Sequence, residues 1–304
     1  MVGRILELSR DRLAVHKARG FLSVREDGCE IGKAELDDLD AVLVSAQGVM
    51  WSNAALAHLA MQNVPVMILG PNFVPVAVVL PLAGHGEQGY RMAQQAAAPK
   101  PLRKQIWARL VRHKIAAQAA VLDRLGCRSE RVARLSFAVR SGDPDNREGQ
   151  AAQAYWPLLL GKSFRRDRDE NGANAMLNYG YAVLRAATAR AIVSSGLHPS
   201  LSVHHKSGGD SLALADDLME PFRPTVDLCV YRLLSQGIDT VPEARADLVA
   251  TLSAVFATDA GTSPLSQVLV RMAQSVARSF DSGKADLEFP RQLLPQEDMQ
   301  DDQS

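Results

Sequence analysis

The chain has 304 residues, 34 basic and 34 acidic side chains, and a hydrophobic content of 47%. This composition is typical of a folded globular protein, and no stretch is apolar for long enough to cross a bilayer. Three isolated cysteines argue against a disulfide framework and against a thiolate zinc site. We therefore expect a cytoplasmic protein with no signal peptide and no membrane association, long enough for two domains.

The first 85 residues have the pattern of short strands around one helix. Ser52 is a suitable N-cap for a helix that ends near Met61. Short apolar runs and alternations predict strands at Arg4–Leu8, Arg12–His16, Phe21–Arg25, Ala41–Val44, Val64–Leu69 and Val74–Leu80. These elements predict a small β-rich N-terminal domain over residues 1–85.

After Leu82 the pattern changes to a glycine-containing loop and then to helical spacing. We interpret residues 86–98 as a linker. Residues 99–304 form the second unit, in which alanine-rich and leucine-rich segments with a period of 3.6 residues predict helices. The fold class is therefore α+β with two domains, a small β-rich N-terminal domain and a larger all-α C-terminal domain.

Charge is strongly segregated along the chain. Residues 91–140 contain twelve Lys or Arg and two acids, a net charge of +10, so the rest of the chain carries −10. A basic run can be a solvated helix face. This one is long and has too few acids for internal pairing, so a surface that attracts phosphates is an equal alternative.

Glu148 lies near the start of a predicted helix. Asp143 is a good N-cap, Pro144 suits the first helical position, and the helix continues to about Leu160. Helical spacing puts Glu148 on the same stripe as the apolar residues Tyr155 and Leu159. A charged group there needs a partner or a cation, unless Glu148 only complements the helix dipole.

A second acidic cluster lies on a helix predicted from about Ser211 to Phe222. Asp216 and Asp217 are four and three residues before Glu220, so the three carboxylates are expected to converge on one point. Carboxylates that close together repel and need a cation, an arginine or protonation. Arg223 offers the alternative of an ordinary ion pair.

Two other pairs of side chains accompany these acids. His204 and His205 precede the glycine-containing segment 206–209. A histidine is usually structural or solvated, but one beside such a segment is freer to reach a ligand. Asn174 and Asn178 are four residues apart on a predicted helix. Such amides often tie structural elements together, and support of a nearby site is the alternative.

Four strings taken together resemble one family. They are Gly142–Gly149 (GDPDNREG), Asn174–Tyr181 (NAMLNYGY), His204-His205 and Leu214–Asp227 (LADDLMEPFRPTVD). In this order they are similar to the CRISPR-associated integrase, the first of the numbered Cas proteins, in its type II form. The resemblance extends to the two-domain layout, and one departure is Ser202, where the family motif leads us to expect glycine.

The resemblance implies a metal site made by Glu148, His205 and Glu220, with Asp216 and Asp217 as alternatives for the third ligand. Carboxylate oxygens and one imidazole suit Mg²⁺ or Mn²⁺. The implied activity is that of a DNA integrase and endonuclease, in which a 3′-hydroxyl attacks a phosphodiester at a CRISPR repeat.

The resemblance also implies partners for the chain. It implies a homodimer and a heterohexamer in which two dimers flank one dimer of the second numbered Cas protein, acting on double-stranded DNA. The basic stretch is then expected to follow the DNA backbone through Arg103, Lys104, Arg109, Arg112 and Lys114. A stand-alone nuclease for branched DNA and a non-catalytic DNA-binding scaffold are the alternatives.

Overall fold

The computed structural model describes residues 4–70, 73–82, 84–205 and 212–296. Two four-stranded sheets, one α-helix, α1 (Asn53–Met61), and a 3₁₀ turn (Leu36–Asp38) make up the described N-terminal part. The first sheet has the order β1 (Arg4–Leu8), β5 (Leu39–Val44), β7 (Val66–Leu69) and β8 (Pro75–Val79). The second has the order β4 (Cys29–Glu35), β3 (Phe21–Glu26), β2 (Leu13–Ala18) and β6 (Val49–Trp51).

The predicted strands of this region are confirmed, with ends that shift by a few residues. Ser52 is the N-cap of α1, as predicted, and its hydroxyl accepts a hydrogen bond from the Ala55 amide. Strands β4 and β6 were not predicted. Strand β4 is exposed over most of its length and lacks apolar alternation, and β6 has only three residues.

Helices dominate the rest of the chain, as predicted. They are α2 (Gln88–Ala97), α3 (Lys100–Arg124), α4 (Glu130–Phe137), α5 (Arg147–Leu159), α6 (Ala173–Ser194), α7 (Ala213–Met219), α8 (Arg223–Ser235), α9 (Val241–Ala250) and α10 (Leu265–Ser282). Helix α6 is buried along nearly its whole length and packs against α7, α8, α9 and α10. In the part of the chain that the structure describes, no helix is both long and apolar enough to span a membrane.

The C-terminal region is not all-α, and this part of the predicted fold class is wrong. A short antiparallel hairpin, β9 (Val255–Thr258) with β10 (Gly261–Pro264), precedes α10. Gly261 has a φ of 106°, and the Thr258 hydroxyl donates to its carbonyl. A glycine in this conformation closes the tight turn of the hairpin. The hairpin was not predicted because the segments on both sides of it have helical spacing.

Most of the predicted linker, residues 86–98, is helix α2, which packs against α10. Its buried Gln95 fixes the turn that leads to His204 and His205. The Gln95 amide donates to the carbonyls of His198 and Leu201 at 3.0 and 2.8 Å and accepts from the His198 amide at 2.8 Å. Residues Gln88–Ala97 therefore pack as a helix of the helical region. The limits of the two domains, at residues 85 and 99, stay a prediction.

Polar contacts join the first sheet to the helices. Glu7 of β1 accepts a hydrogen bond from the Tyr179 hydroxyl at 2.8 Å and pairs with Arg245 at 3.1 Å. Arg190 pairs with the buried Asp40 of β5. Ala41, Leu43, Met67 and Leu69 belong to the same apolar core as the helices. The sheet is thus held directly against α6.

Gly180 lets α8 and α9 approach α6, so Gly180→Ala is expected to destabilise the helical region. A Cβ at this position would lie 2.4 Å from Val226 Cγ1 and 3.2 Å from Leu248 Cδ2. Overpacking of this kind costs about 1–3 kcal/mol of unfolding free energy, measurable by denaturant titration. A Cβ at Gly89 in α2 meets no described atom within 4 Å, so Gly89→Ala is the control. Adding Val226→Ala to Gly180→Ala should restore part of the loss, and equal stability of the two glycine variants would contradict the prediction.

Candidate active site

Helix α5 begins differently from the prediction, in a way that fixes Glu148. The N-cap is Asn146, in a left-handed conformation with φ 52° and ψ 50°, and its side chain accepts from the Gly149 amide. The predicted N-cap, Asp143, lies three residues earlier and accepts from the amides of Arg147 and Glu148 at 2.9 and 3.0 Å. Two side chains therefore bind the amides of the first turn, since these have no partner within the helix.

Glu148 and Glu220 approach each other from distant parts of the chain. Glu148 lies in the first turn of α5, and Glu220 begins a 3₁₀ turn, Glu220–Phe222, between α7 and α8. Helix α7 ends at Met219, before Pro221, and Pro224 occupies the first turn of α8. Leu214, Leu218 and Phe222 are buried and anchor this segment in the core.

The ammonium of Lys114 lies between these two carboxylates. Its Nζ is 2.5 Å from Glu148 Oε1 and 2.5 Å from Glu220 Oε2, and only 12% of its side chain is exposed. The prediction that Lys114 lies on a DNA-binding surface is therefore wrong in this structure. It treated the basic stretch as one uniform surface, whereas Lys114 is on the side of α3 that faces α5 and the 3₁₀ turn.

Glu220 is buried between two positive charges. Its Oε1 lies 3.1 Å from Arg223 Nε, and its Oε2 faces Lys114. Burial by itself would raise the pKa of Glu220, but the positive charges of Arg223 and Lys114 lower it below the usual value. Burial would likewise lower the pKa of Lys114, and the two carboxylates raise it instead.

The three acids of this helix do not converge, which contradicts the prediction from their spacing. Asp216 pairs with Arg185 of α6 at 2.6 Å. Asp217 is fully buried and accepts from the amides of Val203, His204 and His205 at 2.7, 3.0 and 3.3 Å. Of the three, Glu220 is the one that shares a partner with Glu148.

Asp217 also orients His205. Its Oδ1 lies 2.6 Å from His205 Nδ1, so a ligand of this imidazole would have to use Nε2. This hydrogen bond raises the pKa of His205, although burial opposes the effect. A carboxylate on one ring nitrogen is the arrangement that commonly fixes a metal-binding histidine. His204 instead stacks on Trp107, with ring centroids 4.1 Å apart.

A cavity of about 360 Å³ adjoins these residues, with His205 and Asp216 in its wall. Its other charged lining residues are Arg166, Arg168, Arg185 and Arg223. Four guanidinium groups around one cavity favour a phosphate-bearing ligand. The short basic segment at 165–168 was the signal in the sequence that could have predicted this cavity.

The amides of Asn174 and Asn178 hold that segment, as expected for side chains that tie structural elements together. Their side-chain oxygens accept from Arg166 at 2.9 and 2.6 Å. Their amide nitrogens donate to the carbonyls of Arg165 and Arg168. The pair therefore ties a loop to α6, and this also positions two arginines of the cavity.

A buried carboxylate that the sequence analysis did not identify lies behind the site. Asp227 of α8 accepts hydrogen bonds from Tyr155 of α5, at 3.1 Å, and from Tyr181 of α6. Burial raises the pKa of Asp227 to about 6, although both hydroxyl groups oppose the effect. This contact joins the three helices under the two glutamates.

Glu148, Glu220 and His205 have the oxygen and nitrogen donors that a hard divalent cation prefers. In this structure, however, the ammonium of Lys114 lies between the two glutamates, where such a cation would bind. Within residues 4–70, 73–82, 84–205 and 212–296, no three His, Cys, Asp or Glu side chains come together as a complete ion site. The buried Glu220 Oε2 receives no hydrogen bond from the described residues and has only its ionic contact with Lys114. Glu220 Oε2 next to Glu148, together with an oriented imidazole, has the chemistry of a ligand set for Mg²⁺ or Mn²⁺.

The other predicted DNA-binding residues of α3 differ in their surroundings. Lys104 and Arg109 are exposed, and Arg109 has a weak ion pair with Asp286 at 3.9 Å. Arg103 donates to the Ala96 carbonyl, and Arg112 donates twice to the Val139 carbonyl. Lys104 and Arg109 therefore have the most freedom to meet a phosphate.

A family model and two curated relatives that match this chain all belong to the same family. The family model described as CRISPR associated protein Cas1 matches residues 6–262. The chain is 36% identical over 239 residues to the CRISPR-associated endonuclease Cas1 of Neisseria meningitidis serogroup C (strain 8013), which covers 77% of this chain and 78% of the relative. It is 30% identical over 266 residues to a CRISPR-associated endonuclease Cas1 of Pyrobaculum aerophilum, covering 81% and 88%.

Solved structures share the fold. A casposase bound to an integration product has a TM-score of 0.79 at 24% identity, covering 94% of this chain and 93% of that one. A Cas1 protein from Thermotoga maritima has a TM-score of 0.78 at 14% identity, covering 93% and 99%. In a Cas6-RT-Cas1–Cas2 complex, the matching chain has a TM-score of 0.75 at 20% identity, covering 93% of this chain and 35% of that one.

Asp217→Ala is expected to release the segment that carries His205. Three backbone amides and one imidazole lose a charged acceptor, and each such hydrogen bond contributes about 1.5–3 kcal/mol. Amide hydrogen exchange of Val203, His204 and His205 should therefore accelerate by roughly tenfold or more. Asp216→Ala is the control, because its carboxylate pairs with Arg185 instead. Unchanged protection of the three amides in Asp217→Ala would contradict this role.

Proposed function

This chain belongs to the Cas1 family of CRISPR-associated proteins, and on that basis we propose that it is a metal-dependent DNA integrase and endonuclease of CRISPR adaptation. The observation that carries the proposal is the meeting of Glu148 and Glu220 across one positive charge, with Asp217 orienting His205 beside them. Glu148 and Glu220 come from separate elements, and one cation could hold both. The relatives named above are endonucleases, which supports the same class of chemistry.

In this proposal Glu148, His205 and Glu220 hold a Mg²⁺ or Mn²⁺ ion, His205 through Nε2. When bound, such an ion polarises a phosphoryl oxygen and stabilises the charge that develops on it. Asp217 is not the third ligand; its role is to keep the His205 ring in position. Asp216 is likewise assigned to its ion pair with Arg185, so neither alternative for the third ligand is retained.

The reaction we propose is a transesterification. A 3′-hydroxyl of the incoming DNA loses its proton and attacks a phosphodiester, while the 3′-oxygen of the cut strand leaves and takes up a proton. One phosphoester bond forms for each that breaks, and attack by water on the same bond gives the endonuclease activity. The arginines of the cavity are suited to bind the phosphates next to the reacting bond.

Double-stranded DNA is the proposed substrate, bound by the basic surface of α3. Lys104, Arg109 and Arg112 are exposed on this helix, and Arg103 is half-buried. Contacts of this kind go to phosphates, so they position the duplex without reading its sequence. Lys114 is not included, because its ammonium is turned toward the two glutamates.

We further propose a homodimer, and a heterohexamer in which two dimers flank one dimer of a Cas2 partner. The matching chain of a Cas6-RT-Cas1–Cas2 complex shares this fold. Exposed apolar side chains on the N-terminal part, among them Met50, Met61, Val76 and Leu82, favour that part as the dimer surface.

A non-catalytic DNA-binding scaffold is the second candidate. It is favoured by the ion pairs of Glu220 with Lys114 and Arg223, since a purely structural network would have the same geometry. A strand-transfer assay on supercoiled DNA with labelled 3′-hydroxyl ends separates the candidates. Joined product supports the integrase, cleavage alone supports a stand-alone nuclease, and binding with neither product supports the scaffold.

Glu148→Gln and His205→Ala are each expected to abolish joining. Loss of a ligand removes several kcal/mol of stabilisation of the transition state, so joining should fall by roughly 100-fold or more. DNA affinity should stay within a few fold of the wild type, because the exposed arginines and lysines are unchanged. The exposed residues His16 and Glu130 provide controls as His16→Ala and Glu130→Gln. Normal joining in either site variant would refute the assigned site.

Charge reversal at Lys104→Glu and Arg109→Glu is expected to weaken DNA binding. Each lost phosphate contact reduces the magnitude of the slope of log binding constant against log salt concentration by about 0.9. The slope of the double variant should therefore be smaller in magnitude by roughly 2. Binding at several salt concentrations gives this slope directly. Arg19→Glu with Arg25→Glu, both exposed on the N-terminal sheet, is the control. If the slope is the same in both double variants, α3 is an ordinary solvated helix.

A further inference from the structure

Lys114 differs from the other basic residues of α3 in its position and its partners. Its Nζ contacts one oxygen of Glu148 and one oxygen of Glu220, each at 2.5 Å, and the side chain is nearly buried. Lys104 and Arg109, on the same helix, are exposed. An ammonium is a compact point charge, and it can lie between two carboxylates where a planar guanidinium would not fit as well.

The two oxygens of Glu220 have separate partners. Oε1 lies beside Arg223, and Oε2 faces Lys114 without a hydrogen bond of good geometry from the described residues. A cation that replaced the Lys114 ammonium could therefore take Glu220 Oε2 and Glu148 Oε1 while Arg223 stayed where it is. The oxygens that Lys114 contacts are those that both glutamates would offer to a divalent cation.

Without a positive charge between them, the two carboxylates would repel each other in a poorly solvated position. Lys114 supplies that charge and so keeps the acids together. A divalent cation at the same two oxygens would in turn repel the ammonium, because like charges at that distance in a protein interior interact strongly. The lysine and the cation therefore compete for one place.

We propose that Lys114 is a built-in counter-ion for the Glu148–Glu220 pair, which a divalent cation has to displace before it binds. This inference rests on the proposed metal site. Lys114 acts here as a positioning residue that holds the two ligands at close range and lowers the affinity for the cation. Binding of the cation and movement of the lysine are then two sides of one equilibrium.

The test is a titration of the full chain with Mn²⁺ in the absence of DNA. Electron paramagnetic resonance measures the Mn²⁺ that stays free, and so gives the amount bound. Lys114→Met keeps the length of the side chain and removes its charge, and Lys114→Gln is a second neutral variant. Lys162→Met removes one exposed lysine and controls for net charge. We expect the two Lys114 variants to bind Mn²⁺ at least tenfold more tightly than the wild type, and Lys162→Met to bind as the wild type does.

Thermal unfolding gives an independent readout. Without metal, both Lys114 variants should melt below the wild type, because two carboxylates have lost a partner. Saturating Mn²⁺ should raise their melting temperature by more than it raises that of the wild type. A variant too unstable to purify alone should be recovered with Mn²⁺ in the buffer, and failure to recover it would overturn the proposal.

The outcomes separate this inference from the proposed function. If the wild type binds Mn²⁺ at the site and the Lys114 variants bind it equally or more weakly, the counter-ion role is refuted and the metal site stands. If Glu148→Gln binds Mn²⁺ as the wild type does, the assigned ligands are wrong. If neither the wild type nor the Lys114 variants bind Mn²⁺, both the metal site and the counter-ion role are refuted.

Discussion

Two neighbouring acids, Asp217 and Glu220, are buried in one short helical segment, and the need to stabilise them organises the site. A buried carboxylate is unfavourable unless hydrogen bonds or opposite charges replace its water. Asp217 obtains three backbone amides and one imidazole, which fixes the segment that carries His205. Glu220 obtains Lys114 and Arg223, which brings α3 against the start of α8. The positions of the other candidate ligands follow from these two requirements.

The arginine-lined cavity depends on a second set of buried polar contacts. Asn174 and Asn178 hold Arg166 by direct hydrogen bonds, and the guanidinium groups of Arg166 and Arg223 lie 5.6 and 4.6 Å from the centre of the Tyr181 ring. Stacking on an aromatic ring stabilises a cation and limits its orientations. Asp227 holds the Tyr181 hydroxyl from below. The positive charges of Arg166 and Arg223 are therefore fixed before any anion arrives.

Sequence patterns predicted most of the fold because its strands and helices bury apolar residues with regular periods. The hairpin at 255–264 and the strands β4 and β6, which were not predicted, have short or polar sequences. Sequence patterns of this kind do not indicate a strand. For the site, the motifs pointed to Glu148, His205 and Glu220, and the structure brings the two glutamates to the same lysine. Spacing alone gave the wrong geometry for Asp216 and Asp217, because residues three and four apart on a helix can each turn to a different neighbour. Lys114 was assigned to the surface for a similar reason: the density of basic residues does not tell which side of α3 faces the protein interior.

Helix α6 connects the strand-rich region to the site, and its side chains divide between the two. Tyr179 and Arg190 hold β1 and β5 through Glu7 and Asp40. Tyr181 and Arg185 line the cavity beside His205. Because α6 is buried along nearly its whole length, these two groups of contacts are joined by a stiff element. An assembly made through the strand-rich region would therefore fix the direction of each candidate site, and two sites in one assembly would be held at a defined distance.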